Sequence, residues 1–191
     1  MDLQSLNPKV FQMWNMQKDA GSVYFQPSTP KDIAEMERLV ETRIPDDYRE
    51  FLLEYSSVIG AHAIGAYFFP CRFRKKPAIV GNFSLVPWAK LTINAIRAYC
   101  NPHPAFEGVR PRVSRELLPL TRDNNATLLI DLRPDSFGHV HFLPVVKKKV
   151  FGSAGYGWDD VGYVAPSFTD FIRELETEEE LKARYPGWKV I

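Results

Sequence analysis

Histidines two apart on a strand put both imidazoles on one face, and His139 and His141 stand in such a run, Gly138-His139-Val140-His141-Phe142-Leu143. Their nitrogens could begin a zinc site, but no third or fourth ligand follows at a matching interval. Two rings lining a half-exposed sheet face is the reading the pattern favours, so neither a metal nor any other cofactor is expected. Glu37 and Asp131 could be drawn as an acid–base pair, yet nothing in the sequence fixes their separation. Asp131 ends an apolar run and suits the turn hydrogen bonds of a strand end. Cys71 and Cys100 have neither metal-ligand spacing nor the density of a disulfide framework, and both read as buried free thiols. Glycine-rich phosphate loop, nucleophile elbow and His-Glu-x-x-His are all missing from the sequence. The chain is therefore expected not to be an enzyme.

Residues suited to binding are more prominent. Arg72-x-Arg74-Lys75-Lys76 is a basic cluster with Phe73 interleaved, and Arg110, Arg112 and Arg115 follow. Residues 56–115 hold nine bases against one acid, whereas residues 29–55 hold eight acids and four bases, so a net charge of +1 conceals two opposed segments. Such asymmetry concerns partners rather than fold. Bases around a ring could track phosphates, or could be the solvated tip of a hairpin whose charges keep an edge strand from pairing. A positive patch that meets an acidic surface on a protein partner is favoured over nucleic acid.

The second candidate is Phe151-Gly152-Ser153-Ala154-Gly155-Tyr156-Gly157-Trp158-Asp159-Asp160-Val161-Gly162. Its glycines predict a mobile loop in which large rings stay unburied. Tyr and Trp are enriched at binding hot spots, and Asp159 and Asp160 could pair with Arg or Lys of a partner, such as the basic cleft of a nuclease. The competing reading folds Trp158 back as a lid over the sheet. The expected partner-binding residues are thus Tyr156, Trp158, Asp159, Asp160, Arg72, Arg74 and Lys75.

The elements that must position these residues can be read from period and punctuation. Residues 1–27 form a lead-in in which Val10 to Trp14 could make a helical turn. Thr29 suits an N-cap, Pro30 a first helical position and Asp32 the first turn; Ile33, Met36 and Val40 then recur at helical spacing. Pro45 opens a second helix with Tyr48, Phe51, Leu52 and Tyr55 on its apolar face, completing a helical hairpin. Residues 63–69 and 78–86 read as strands, 91–100 as a helix, and 117–120, 127–132, 138–143 and 163–164 as further strands. A turn at Asp123-Asn124-Asn125 joins the second pair. Ser167 caps a closing helix with Phe168, Phe171, Ile172 and Leu175 as its stripe; residues 176–191 form a charged tail, in which Glu176 to Arg184 is expected to continue as exposed helix. With 191 residues, 45% of them apolar, one domain over about residues 28–175 suffices. Helices at both ends of a run of strands indicate an α+β fold with a mostly antiparallel sheet. The sequence shows no apolar run of membrane-spanning length and no signal peptide, so a cytoplasmic location is expected.

Three patches in order resemble the SUKH superfamily, which includes bacterial toxin-immunity proteins and fungal Smi/Knr-type regulators. They are Ile33-x-x-x-Glu37-x-x-Val40-x-x-x-Ile44-Pro45-x-Asp47-Tyr48-x-x-Phe51-Leu52; then Leu118-Pro119-Leu120 with Leu128-Leu129-Ile130-Asp131-Leu132 and Gly138-x-Val140-x-Phe142; and Val164-Ala165-x-Ser167-Phe168-x-x-Phe171-Ile172-x-x-Leu175. The chain departs from the family at Tyr55-Ser56-Ser57, where Asn-Gly-Gly is common, and at Glu41, near the usual glycine of the first helix. The resemblance implies a curved, mostly antiparallel central sheet flanked by an N-terminal helical hairpin and a C-terminal helix. It makes Ile33, Pro45, Tyr48, Phe51, Leu52, Asp131, Phe168 and Phe171 structural, and it carries over no catalytic residue. In bacteria it implies an immunity protein of a polymorphic toxin system that binds a cognate toxin, a nuclease or other cytoplasm-acting protein, and occludes its active site. A regulatory scaffold of the fungal kind is the alternative it leaves open.

Overall fold

The computed structural model describes residues 1–21, 25, 28–58, 60–74, 76–81, 84, 88–100, 111–121 and 126–191. Asp2 and Asn7 each cap a helix through a side-chain oxygen, accepting the amides of Ser5 (3.1 Å) and Val10 (3.2 Å). These helices are α1 (Leu3–Leu6) and α2 (Pro8–Asp19). Leu3, Val10 and Met13 are fully buried in the main core, and Asn7 Nδ2 donates to the carbonyls of Ile172 and Leu175 at 2.8 and 2.9 Å. The segment read as a lead-in thus supplies two helices and part of the core.

Thr29 and Asp32 form a reciprocal capping box at the start of α3 (Pro30–Val40), satisfying two otherwise orphan amides. The helix ends on Glu41, held at φ 59. Glu37 Oε1 then accepts the Ile44 amide at 3.3 Å, and Pro45 leads into α4 (Asp46–Glu54). Ser56, just past α4, lies at φ 67. Both positions where this sequence departs from a glycine pattern are therefore left-handed backbone, the region glycine enters at least cost.

The sheet holds β1 (Phe68–Phe73), β2 (Lys76–Gly81), β3 (Leu117–Pro119), β4 (Thr127–Asp131), β5 (Val140–Leu143), β6 (Gly162–Ala165) and β7 (Lys189–Val190), in the order β3-β4-β5-β6-β1-β2-β7. All neighbours pair antiparallel except β2 with β7. The remaining helices are α5 (Ala89–Tyr99), α6 (Phe168–Arg173) and α7 (Glu178–Arg184). The fold is α+β, as expected.

Two strands sit elsewhere than their apolar runs suggested. β1 runs through Pro70, which reads as a stop, because β1 pairs with β6 only at Arg72 and no ladder needs the missing Pro70 amide. β2 begins at Lys76, ahead of its apolar run, and is described as far as Gly81. The helix expected over 176–184 is present as α7, but with Leu181 buried, and beyond it the charged tail returns as β7 beside β2. The predicted turn at Asp123-Asn124-Asn125 lies outside the described residues.

Phe69 packs edge-on to Phe142 and Phe171, with ring centroids 5.7 and 5.5 Å apart, which sets α6 on one face of the sheet. Tyr48 and Phe51 close on Phe168 at 5.0 and 5.1 Å. Asp47 Oδ2 accepts the amide and hydroxyl of Thr169 at 2.9 and 3.1 Å, so an α4 carboxylate caps α6. Ile33, Pro45, Tyr48, Phe51, Leu52, Phe168 and Phe171 are all buried here. On the opposite face, directly paired residues share a side, so the register Arg72↔Tyr163↔His141 draws a row across β1, β6 and β5.

Candidate functional site

Phe73 pairs with Lys76, which puts Arg74 in the tip of the β1–β2 hairpin. Arg74 sits at φ 41, as tight hairpin turns require positive φ; Lys75 lies outside the described residues. The Arg74 guanidinium forms an ion pair with Asp159. The basic cluster and the glycine-rich stretch, candidates from distant parts of the sequence, thus meet as one surface.

The glycine-rich stretch is a bonded turn. With Gly152 at φ 89 and Gly155 at φ 73, the chain folds so that Gly152 N donates to Tyr156 O (3.0 Å) and Tyr156 N to Ser153 O (2.9 Å). Tyr156 is 2% exposed, contrary to the expectation that rings here stay unburied. Its ring packs edge-on to Phe151 at 5.5 Å, and its hydroxyl donates to Arg112 O at 2.6 Å. Burial pushes the phenol up to about 12, so it stays protonated as that donor. Tyr156 anchors the loop from inside and cannot be a contact ring in this conformation.

The two carboxylates are also engaged. Lys147 Nζ donates to Asp160 Oδ1 (2.8 Å) and Gly155 O (2.7 Å), and Asp160 Oδ2 accepts the Gly157 amide (2.9 Å). The Lys147 hydrogen bond holds the Asp160 carboxyl below its ordinary range. Asp159 has Arg74. Both acids thus have a base of their own chain, Asp160 half-buried and Asp159 still open to solvent. Its outer side is a concavity of about 400 Å³ lined by residues from Gly152 to Asp160.

Trp158 is 39% exposed, neither a sealed lid nor a free ring. The Arg133 guanidinium stands over the indole at 3.9 Å, and Phe151 and His141 meet it edge-on at 5.6 and 6.0 Å. Arg133 is itself fixed by Asp131: Nε to Oδ1 is 3.0 Å and Nη2 to Oδ2 is 2.7 Å. Asp131 also accepts the Arg133 amide (3.0 Å) and the Ser136 hydroxyl (2.8 Å). Burial raises its affinity for a proton, but the Arg133 and Ser136 hydrogen bonds outweigh that and hold the carboxyl below its usual range. Asp131 is 0% exposed.

His139 and His141 do share a face, with ring centroids 6.4 Å apart, and Tyr163 stands edge-on to both at 5.8 Å. His141 Nε2 lies 3.4 Å from Asp131 Oδ2 without hydrogen-bond alignment. Burial pushes the His141 pKa down, more than the Asp131 charge raises it. No group of three or more His, Cys, Asp or Glu among the described residues is placed to hold a metal ion. Glu37 spends its carboxylate on Ile44 and Asp131 on Arg133, so the two are not joined. Burial pushes both cysteine thiols up to about 12.

Sequence reasoning passed over Arg133, Lys147 and Tyr163. The Asp131-x-Arg133 spacing was a usable signal, since residues two apart project to the same side where the chain is extended. Tyr163 offered only its place opposite the histidine strand, and Lys147 offered nothing before the loop was seen to close on it. No helix among the described residues is long and apolar enough to cross a membrane. No curated protein matches the chain. The SMI1/KNR4 family (SUKH-1) matches residues 27–174, a span holding the capped helical hairpin, β1 to β6, the Trp158 platform and α6, and to that family the chain belongs.

Proposed function

We propose that this protein is an immunity protein that binds a cognate bacterial toxin in the cytoplasm and neutralises it by occlusion, without catalysis or a cofactor. The contact surface is the composite of the β1–β2 hairpin tip, the 151–161 turn and the row Arg72, Tyr163 and His141. The observation that carries this reading is Trp158: a half-exposed indole, gripped by Arg133 and set in a turn whose polar groups are already bonded. A ring held in place binds with little further loss of rotamer freedom, which is how a few anchors dominate interfaces of about 1,200–2,000 Å². Family membership supports a protein partner, and the paired acids leave no obvious general base.

The test is co-expression with the toxin encoded beside this gene. Cells carrying both should survive, and Trp158→Ala should restore killing while the purified variant keeps its melting temperature within a few degrees. Lethality undiminished by the wild-type protein would defeat the reading. Recovery of several unrelated host proteins and no toxin would replace it with a regulatory scaffold.

A further inference from the structure

Resting on that docking role, we infer that the partner meets this surface with acidic side chains, and that occlusion here is not mimicry of a polyanion before a basic cleft. Each acid of the 151–161 turn, and Asp131 behind Arg133, already has a base of its own chain, while Asp135 and Glu116 act on Arg133 only through their charge. Asp159 pairs with Arg74, Asp160 with Lys147 and Asp131 with Arg133. The charge left over is positive. Among the described residues no acid pairs with Arg72 or Lys76 beside the hairpin tip, nor with the exposed Lys148 and Lys149 that adjoin Lys147.

Position makes that surplus usable. Arg72 is the direct partner of Tyr163 in the sheet, and Tyr163 is 37% exposed, so an open ring and an unpaired guanidinium lie side by side. From there the row continues through His141 to Trp158 under Arg133. Arg and aromatic residues are the types enriched at protein interfaces. A carboxylate approaching Arg72 also meets no unpaired acid, whereas a basic partner faces uncompensated like charge.

Bases beside rings also suit nucleic acid, but the rings here offer poor stacking surfaces. One face of Trp158 is covered by Arg133, and Tyr163 has two imidazoles against it. Base stacking needs open faces on successive rings. A carboxylate on a protein needs only the guanidinium of Arg72, which is exposed.

Three probes distinguish the possibilities: a short Asp/Glu-rich peptide containing tyrosine, a Lys/Arg-rich peptide of equal length, and single-stranded oligothymidylate. The readout on the whole chain is the Trp158 indole N–H resonance, assigned by its loss in Trp158→Phe. The acidic peptide should shift it saturably, and less so as salt is added. Arg72→Glu, and independently Lys148→Glu with Lys149→Glu, should each weaken that binding by about tenfold or more; the lysine pair, fully at the surface, serves if Arg72→Glu perturbs the sheet. Binding of the basic peptide instead overturns the inference, as does an oligothymidylate that competes better than the acidic peptide. So does a resonance that none of the three moves, or acidic binding that both reversals leave unchanged. Each of these results is independent of the co-expression outcome, so the sign of the surface can fail while neutralisation stands, and the reverse.

Discussion

Glu41 carries a full side chain at φ 59, where an L-residue pays roughly 1–2 kcal/mol that glycine avoids. Its only ion pair among the described residues is an exposed one with Arg115 at 3.5 Å, worth little. Glu41→Gly loses some of the gain to the greater freedom of the unfolded chain, so a net stabilisation of about 0.5–1 kcal/mol is expected. A denaturant midpoint that moves down instead would mean the left-handed turn carries no strain. Asp131 is the opposite case, a buried acceptor for four donor groups of Arg133 and Ser136 with a neighbouring imidazole. Asp131→Ala should cost about 2–4 kcal/mol and loosen Arg133 over Trp158. Its pH signature has a definite sign. The Asp131 pKa is depressed in the fold, so its contribution is present above the unfolded value near 3.9 and lost as pH falls through the lower folded one. His141, also depressed, likewise adds stability above about pH 6.5 that fades on acidification. Thermal melts should therefore fall from about pH 6.5 downward, with His141→Phe flattening the first part of the decline. A melting temperature that rises on acidification through that range contradicts the assignment.

Among the elements, the 151–161 turn shows why part of the site was legible and part was not. Trp158, Asp159 and the hairpin arginines stand out by residue type, and they do lie together. Four glycines suggested mobility, but glycine reports only which backbone angles are accessible. Whether they are used depends on partners such as Arg112 O, Lys147 and Arg74, which come from other elements. Tyr156→Ala should therefore destabilise the fold by about 3 kcal/mol or more through lost burial, whereas Trp158→Ala should cost much less; equal small losses would return the turn to a mobile loop. The helical hairpin was readable because its capping box, Pro45 and apolar stripe are all local. The N-terminal helices were not, because Asn7 acts at long range on the carbonyls of Ile172 and Leu175. Likewise β7 is two residues whose strand character comes from β2. Removing residues 1–21 should lower stability and expose the core beside α6, visible as a reduced melting temperature and dye binding. A truncated chain that melts unchanged would make those helices an accessory.

For the molecule as a whole, a net charge of +1 hides one face on which Asp131, Asp159 and Asp160 pair within the chain while Arg72 and two half-open rings, Tyr163 and Trp158, face outward. The scaffold motif and the proposed docking face are thereby linked: the strand-end Asp131 belongs to the core by burial and touches the surface through Arg133. The most direct measurement is the affinity of purified wild-type and Trp158→Ala protein for the toxin encoded beside the gene, by calorimetry at fixed ionic strength, with melting temperatures in parallel. An anchor residue should cost at least about 2 kcal/mol, roughly thirtyfold in Kd, at nearly constant melting temperature. Equal affinities for the two proteins, or no complex with wild type, would contradict a docking face built around that indole.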